Sequence, residues 1–397
     1  MREIRTVMSA QGAGERRMPT VGIVGSYGGL NIGDEAIFTC LSEELAHLLP
    51  DVRLVVFSRD AEHTRRHYPV HRVVPVRELT REEVTPEIQS LDVLLLGGGG
   101  ILFDDEVLTF LREVRLAQQL GIPTFAASVG AGPLERGEGR KAARITLDAM
   151  NGVTVRDLEA KRLLEEIGVE RNIVVTADPA WLLAPSPFDD GMLVREGITP
   201  GVPLVGYSVR EPGGAAPGLD ESAYHRLIAD AADFAVERYG TDIVFVPMER
   251  ADIRHAHHVI AEMSNAEHAT VLKGGYRPSQ ILGLVSRFEL AVGMRLHFLI
   301  FCALARVPFL PLPYAGKVSS MIRSLDLPVE SMVQDGRAGP LLASIDRLWD
   351  HRGLRREHLE RKVPEIQDRA RVTLRMLLEV LEGRPFAQVP ADVQDGR

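Results

Sequence analysis

From Val21 onward, short runs of Val, Ile, Leu and Phe alternate with longer stretches in which apolar residues recur every three or four positions. The short runs have the length and composition of buried strands, and the three-to-four spacing puts apolar side chains on one face of a helix. A first series predicts strands at 21–25, 53–58, 92–96, 123–128, 152–156 and 172–176, with helices clearest at 34–49, 105–120 and 158–167. Residues 184–201 (APSPFDDGMLVREGITPG) interrupt the rhythm with proline, glycine and acid. A second series then predicts strands at 203–209, 242–247, 269–272, 289–292 and 308–312, with helices near 220–239, 250–264, 279–287 and 296–305. Strand and helix in regular alternation point to βαβ units around parallel sheets. The pattern predicts an α/β protein of two Rossmann-like, doubly wound domains facing a cleft, at 20–183 and 202–345, with 184–201 as the linker. Residues 1–19 carry scattered charges without the apolar run of a leader, and read as a flexible extension. Residues 346–397 are predicted as C-terminal helices and a tail, with a long helix near 364–383 placed to pack back on the first domain.

Composition narrows the class. A length of 397 residues suits two cores better than one, because single cores rarely grow far past ~150 residues. Hydrophobic residues at 45% and charged residues at 25% are ordinary for a folded protein and exclude disorder or a fibrous repeat. The 46 basic against 55 acidic residues give a net charge of -9, a poor match to nucleic acid, so no nucleic-acid partner is expected. The two cysteines, Cys40 and Cys302, each fall inside an apolar helical pattern and support neither a disulfide framework nor a cysteine metal site. The longest apolar run, Phe298 to Ala305, stops at Arg306, short of the ~18 residues of a membrane span. A cytoplasmic protein is expected.

In open α/β sheets, ligands bind beyond the carboxyl ends of the strands, so the residues after each predicted strand carry the candidate chemistry. After the first strand, Gly25 to Glu35 form a glycine-rich turn into a helix whose N-terminal N–H groups could receive an anion. Neither a Walker A loop nor a clean GxGxxG is present, although Asp60 after the second strand could imitate a ribose-binding acid. Asp34 and Glu35 suit the helix start as capping residues, while Asp34 could also reach a substrate hydroxyl. Gly97 to Gly100 suggest close approach by a ligand. Ser128 sits in a loose imitation of a nucleophile elbow with no acid and histidine to complete it. In the second half the post-strand residues are cationic: Arg210, Lys273, Arg295 and Lys317 suggest an anionic ligand. In Gly293-Met294-Arg295-Leu296-His297, residues two apart share a side while the chain is extended, so Arg295 and His297 can address one ligand. His297 is then a candidate general acid or base. His255, His257 and His258 read as a solvent-facing helix, because no neighbouring carboxylate or cysteine completes a ligand set, and no metal is expected. Asp104 and Asp105 read as caps of the following helix.

Taken in order, Gly28 to Glu35 (GGLNIGDE), Gly97 to Gly100, Gly130 to Leu134, Val155-Arg156-Asp157, Ala177-Asp178-Pro179-Ala180, Ser208-Val209-Arg210, Gly293 to His297 and Pro313 to Val318 (PYAGKV) resemble the polysaccharide pyruvyl transferase family across about Val21 to Leu325. The resemblance implies a GT-B-like fold and transfer of a pyruvyl group from phosphoenolpyruvate onto two sugar hydroxyls as a cyclic ketal. It implies no cofactor beyond phosphoenolpyruvate as co-substrate, and an acceptor sugar that is lipid-linked or nucleotide-linked. The implied catalytic residues are His297, Arg295 and Asp34. Arg210, Lys317, Tyr314 and Arg156 would contact substrate, together with Gly29, Asn31, Gly33, Gly98 and Gly99. The family's last motif is altered here, with Ala315-Gly316 as its middle pair, which bears on the acceptor. A glycosyltransferase using a nucleotide sugar, or a binding protein that retains the cleft, fits the same cleft and cations. The basic stretch His351 to Arg375 suggests peripheral contact with the inner membrane surface.

Overall fold

The computed structural model describes residues 18–29, 31–212, 219–313, 315–328 and 337–383. The first lobe carries β1 (Thr20–Val24), α1 (Ile32–Leu48), β2 (Arg53–Ser58), α2 (Ala61–His67), β3 (Arg72–Pro75), α3 (Arg81–Gln89), β4 (Val93–Leu96), β5 (Gly99–Leu102), α4 (Val107–Gln119), β6 (Thr124–Ala131), α5 (Gly137–Asp148), β7 (Gly152–Val155), α6 (Leu158–Glu166) and β8 (Ile173–Val175). All its strand pairs are parallel, in the order β3-β2-β1-β4-β6-β7-β8, with β5 pairing the far end of β6. A 3-10 turn (Pro179–Leu182) and α7 (Asp190–Glu196) lead to the second lobe.

The second lobe carries β9 (Leu204–Ser208), α8 (Glu221–Tyr239), β10 (Asp242–Phe245), α9 (Arg250–Glu262), β11 (Ala269–Val271), α10 (Pro278–Val285), β12 (Phe288–Gly293), α11 (Leu296–Leu304), β13 (Phe309–Pro311), α12 (Gly316–Ser324), α13 (Ala338–Asp350) and α14 (Arg352–Leu381). Its parallel sheet runs β11-β10-β9-β12-β13. Both lobes are Rossmann-like: the chain winds outward from a central strand, returns, and continues on the other side. The strand order therefore reverses between β1 and β4 in the first sheet and between β9 and β12 in the second. These two crevices are where such sheets take ligands.

Several expectations change. The stretch 184–201 is not a bare linker: Asp189 caps α7 by accepting from Met192 N–H, and Gly197 in the left-handed region ends it. The last long helix starts at Arg352, because Pro364 sits inside it instead of opening it. Gly99 and Gly100, expected to admit a ligand, pair with Val129 and Gly130 as a short strand that the sequence pattern did not predict. The expectations for residues 1–17, for Tyr314 and for the tail 384–397 lie outside the described residues, as does most of the loop 212–218.

The lobes share one apolar core. Ile37 and Phe38 of α1, Trp181 of the 3-10 turn, Phe298 and Phe301 of α11, and Val363 and Ile366 of α14 belong to a single buried cluster. The 30-residue α14 bridges both lobes. Near its start, Arg356 donates to Glu289 at 3.0 Å and His358 lies 2.7 Å from the Leu325 carbonyl. Farther on, Gln367 donates to the Trp181 carbonyl at 3.0 Å and Arg369 to the Thr176 carbonyl at 2.9 Å. Thr373 enters the first sheet beneath Ser128: the two hydroxyls lie 2.7 Å apart, and Thr176 lies 2.8 Å from Thr373. Ser128 is thus a fully buried hydroxyl at a kink in β6, with a φ of 53°, and not an exposed nucleophile.

Candidate functional site

The turns at the two sheet reversals face each other. From β1 the chain passes through Gly25 to Asn31 into α1, and Gly97 and Gly98 follow β4. Across from them, Val209 and Arg210 follow β9, and Met294 to His297 follow β12, with Met294 N–H donating to the Ser208 carbonyl at 3.0 Å. Two contacts stitch the turn before α1 to the segment between β10 and α9. Ile32 N–H donates to the Met248 carbonyl at 2.8 Å, and the Asn31 side chain donates to Glu249 at 3.3 Å.

The start of α1 is capped from within. The Asn31 side chain accepts from Gly33 N–H at 2.9 Å and Asp34 N–H at 3.3 Å, and Glu35 N–H bonds the Asn31 carbonyl at 3.0 Å. With Ile32 also bonded, the first-turn donors expected to receive an anion are already satisfied. The cap is therefore Asn31, which frees both acids. Glu35 turns inward, accepting from Gly28 N–H at 2.8 Å and from the Tyr68 hydroxyl, and so fixes the glycine-rich turn. Asp34 lies beside Gly99 and Ser26, and burial raises its pKa above the ordinary value against the pull of His297, Ser26, Arg156 and Lys317.

His297 reaches the first lobe. Its Nε2 lies 3.5 Å from the Asp178 carboxylate, and its ring rests on Gly33, where a Cβ would overlap the imidazole. Gly33 thus serves as the surface on which the histidine packs. Asp178 is 4% exposed; it caps the 3-10 turn by accepting from Ala180 N–H at 3.0 Å and pairs with Arg156 at 3.2 Å. Burial opposes its charge, but His297, Arg156 and the Ala180 N–H outweigh burial and hold its pKa at about 2. Arg156 also meets Asp157 at 3.3 Å. The sequence pointed to Arg156 and His297; Asp178, which connects them, was visible only as the acid before Pro179 at a strand end.

Arg295 and His297 do not point the same way. The Arg295 guanidinium, 12% exposed, turns back to Asp252 and Glu249 through Nε and Nη2, leaving Nη1 outside those bonds. Burial works against its charge, and the two carboxylates more than restore it. Arg210 is half-buried beside Glu211, and Lys317 lies at the start of α12. A cavity of about 230 Å³ opens between the lobes, lined among others by Arg156, Asp178, Trp181, Ile300, Lys317 and Arg369. Arg369, from α14, is a cation at this cavity that strand-end reasoning could not find.

The glycine run is filled mainly by the protein itself. A Cβ on Gly98 would come 3.1 Å from the Ala127 carbonyl and one on Gly99 3.1 Å from the Asp34 carboxylate, so these glycines make room for neighbours more than for a ligand. Gly29 is exposed on the first turn. Asp60 caps α2 through His63 N–H, and Asp104 accepts from Glu135 and Arg136 N–H ahead of α5 instead of capping α4. In the basic stretch, Arg352 and Arg356 lie against Glu289 at 3.8 and 3.0 Å. The histidine-rich helix is not wholly solvent-facing: His255 is 3% exposed and meets His225 and Glu221 of α8. Among the described residues no helix is long and apolar enough to cross a membrane.

The chain matches the model of a family described as polysaccharide pyruvyl transferase over residues 31–316. No curated protein matches it. Among solved structures, a glycosyltransferase of Rickettsia africae is similar at 11% identity with a TM-score of 0.62, over 93% of this chain and 98% of that one. S. aureus MnaA solved with UDP is similar at 11% identity and a TM-score of 0.60, over 94% and 100%. The UDP-GlcNAc 2-epimerase of Neisseria meningitidis bound to UDP-GlcNAc follows at 12% and 0.58, over 91% and 100%. These likenesses show a fold, the paired Rossmann-like lobes of the GT-B class.

Proposed function

The chain belongs to the polysaccharide pyruvyl transferase family, and from that premise we propose that it transfers the pyruvyl group of phosphoenolpyruvate to a sugar of a cell-surface polysaccharide precursor, releasing phosphate. The observation that carries the reading is His297, seated on Gly33 and 3.5 Å from Asp178, where both sheet reversals meet.

His297 donates a proton to the methylene carbon of phosphoenolpyruvate, giving a methyl group and an oxocarbenium-like carbon. An acceptor hydroxyl adds to that carbon, and its proton passes to Asp34, whose raised pKa suits a base. The bond to the phosphate oxygen then breaks, and a second hydroxyl closes the ketal. The first hydroxyl's proton passes from Asp34 to the departing phosphate and the second hydroxyl's proton restores His297, so the sum balances. Asp178, ionised at neutral pH, orients the imidazole and supplies negative charge beside it, while Arg156 holds Asp178 in place. Arg210, Lys317 and the Nη1 edge of Arg295 meet the donor's carboxylate and phosphate. The acceptor is a lipid-linked or nucleotide-linked sugar, and the protein would act in the cytoplasm, peripheral to the inner membrane.

Incubation with phosphoenolpyruvate and candidate lipid-linked or nucleotide-linked sugars tests donor and reaction together. A product heavier by one pyruvyl group, with stoichiometric phosphate, is expected. His297→Gln should lower that rate at least ~100-fold with an unchanged melting temperature. Addition of a hexose with release of a nucleotide would replace the proposal with glycosyl transfer, and wild-type turnover by the folded His297→Gln variant would remove His297 from the chemistry.

A further inference from the structure

In the second lobe, the first turn of α8 meets the middle of α9. Glu221 and His225 are four residues apart and share a face of α8. His255 projects from α9 toward both. The facing nitrogens, His225 Nε2 and His255 Nδ1, lie 3.1 Å apart, and the Glu221 carboxylate is 3.8 Å from His255 Nδ1. All three ligand atoms fall within 4.8 Å of one another.

We propose that Glu221, His225 and His255 form a site for a first-row divalent cation of the Zn²⁺ class. Two nitrogens each about 2.05 Å from a tetrahedral ion stand about 3.3 Å apart, so the two imidazoles are already at the spacing an ion requires. Both histidines are 3% exposed and held by their helices. The Glu221 side chain is 48% exposed, so it has the freedom to swing in and leaves an entry path from solvent. Two imidazoles and one carboxylate suit zinc and its neighbours over calcium or magnesium, which take mostly oxygen. Solvent supplies the fourth position. Arg254 lies at the rim, 3.9 Å from Glu221, and competes weakly for the carboxylate across an exposed contact. The ion would clamp α8 to α9, whose first turn carries the Asp252 that holds Arg295. The alternative is a plain hydrogen bond between the two imidazoles.

The test is Zn²⁺ binding to the full, untagged chain after chelator treatment, by calorimetry and by metal analysis following dialysis. About one ion per chain and a rise in melting temperature with Zn²⁺ are expected. Glu221→Gln keeps the imidazole pair and alters only an exposed group, so it should fold; it should weaken binding roughly 100-fold, as should His255→Asn. His257→Ala, on the exposed face of the same helix, should bind as wild type. Co²⁺ should give the intense visible bands of a four-coordinate site. Absence of stoichiometric Zn²⁺ binding overturns the proposal, as does wild-type affinity in Glu221→Gln or loss of affinity in His257→Ala.

Discussion

Gly33→Ala places one methyl group in space that His297 occupies. The added carbon would overlap the ring at Nδ1, Cγ and Cε1, far inside any real contact distance. Two relaxations are open. The imidazole can leave its rotamer, at a cost of ~0.5–1.5 kcal/mol. Alternatively α1 and α11 can separate, straining the core shared by the lobes at the ~1–3 kcal/mol typical of overpacking. Alanine is better than glycine in a helix by up to ~1 kcal/mol, so the net loss of stability runs from near zero to about 2 kcal/mol. The melting temperature should then fall by no more than about 3 °C. Either relaxation moves the ring by the order of an ångström, and a displacement of that size costs ~100-fold in rate. Calorimetric melting and phosphoenolpyruvate-dependent phosphate release, measured on the same preparation, read the two effects separately. A Gly33→Ala enzyme with wild-type rate and melting temperature would refute the packing of His297 on α1. A fall in melting temperature well beyond about 3 °C would show that the contact chiefly holds the lobes together.

Asp178 has a pKa below its ordinary value, so it contributes stability that is present above about pH 4 and is lost as pH falls through about 2. Asp178→Asn should therefore cost about 2 kcal/mol at pH 7 and at pH 5, with the gap from wild type narrowing below pH 4 in urea titrations; a gap that widens on acidification would contradict the assignment. Thr373→Val removes one hydroxyl from the buried set it forms with Ser128, Thr154 and Thr176, and should cost ~1–3 kcal/mol because its partners lose a bond without gaining water. An unchanged denaturation midpoint would show that the remaining hydroxyls satisfy one another.

The central strands were legible because they are buried on both faces and read as unbroken apolar runs: the strand expected at 289–292 is Phe288–Gly293, and that expected at 53–58 is Arg53–Ser58. Short edge elements were not. Arg72–Pro75 offers only four residues, preceded by a histidine and ending in a proline, too few for any period to show, and α3 carries Pro86 in its middle. Position at a strand end was enough to nominate Asp34, Arg210, Arg295 and His297, and the family resemblance added Arg156. It could not tell where long side chains turn. Arg295 folds back on Asp252 of α9 and on Glu249 just before it, residues far away in the chain whose charge has no periodic signature. The same limit hid the partners of His255: Glu221 and His225 lie on a different helix, and only the packing of α8 on α9 brings them near.

The path of α14 has a consequence for how the molecule can be cut. Because this helix leans on Glu289 and Leu325 with its first half and on Thr176, Trp181 and Ser128 with its second, the lobes are joined by two passages of the chain. A gene ending after the first lobe would leave Trp181 and the Ser128 hydroxyl facing water, so the lobe should aggregate when expressed alone, and calorimetry of the whole chain should show one transition instead of two. The tolerant place for a permuted terminus is instead the exposed turn at Gly201, where the chain can be opened while α14 still ties the halves together.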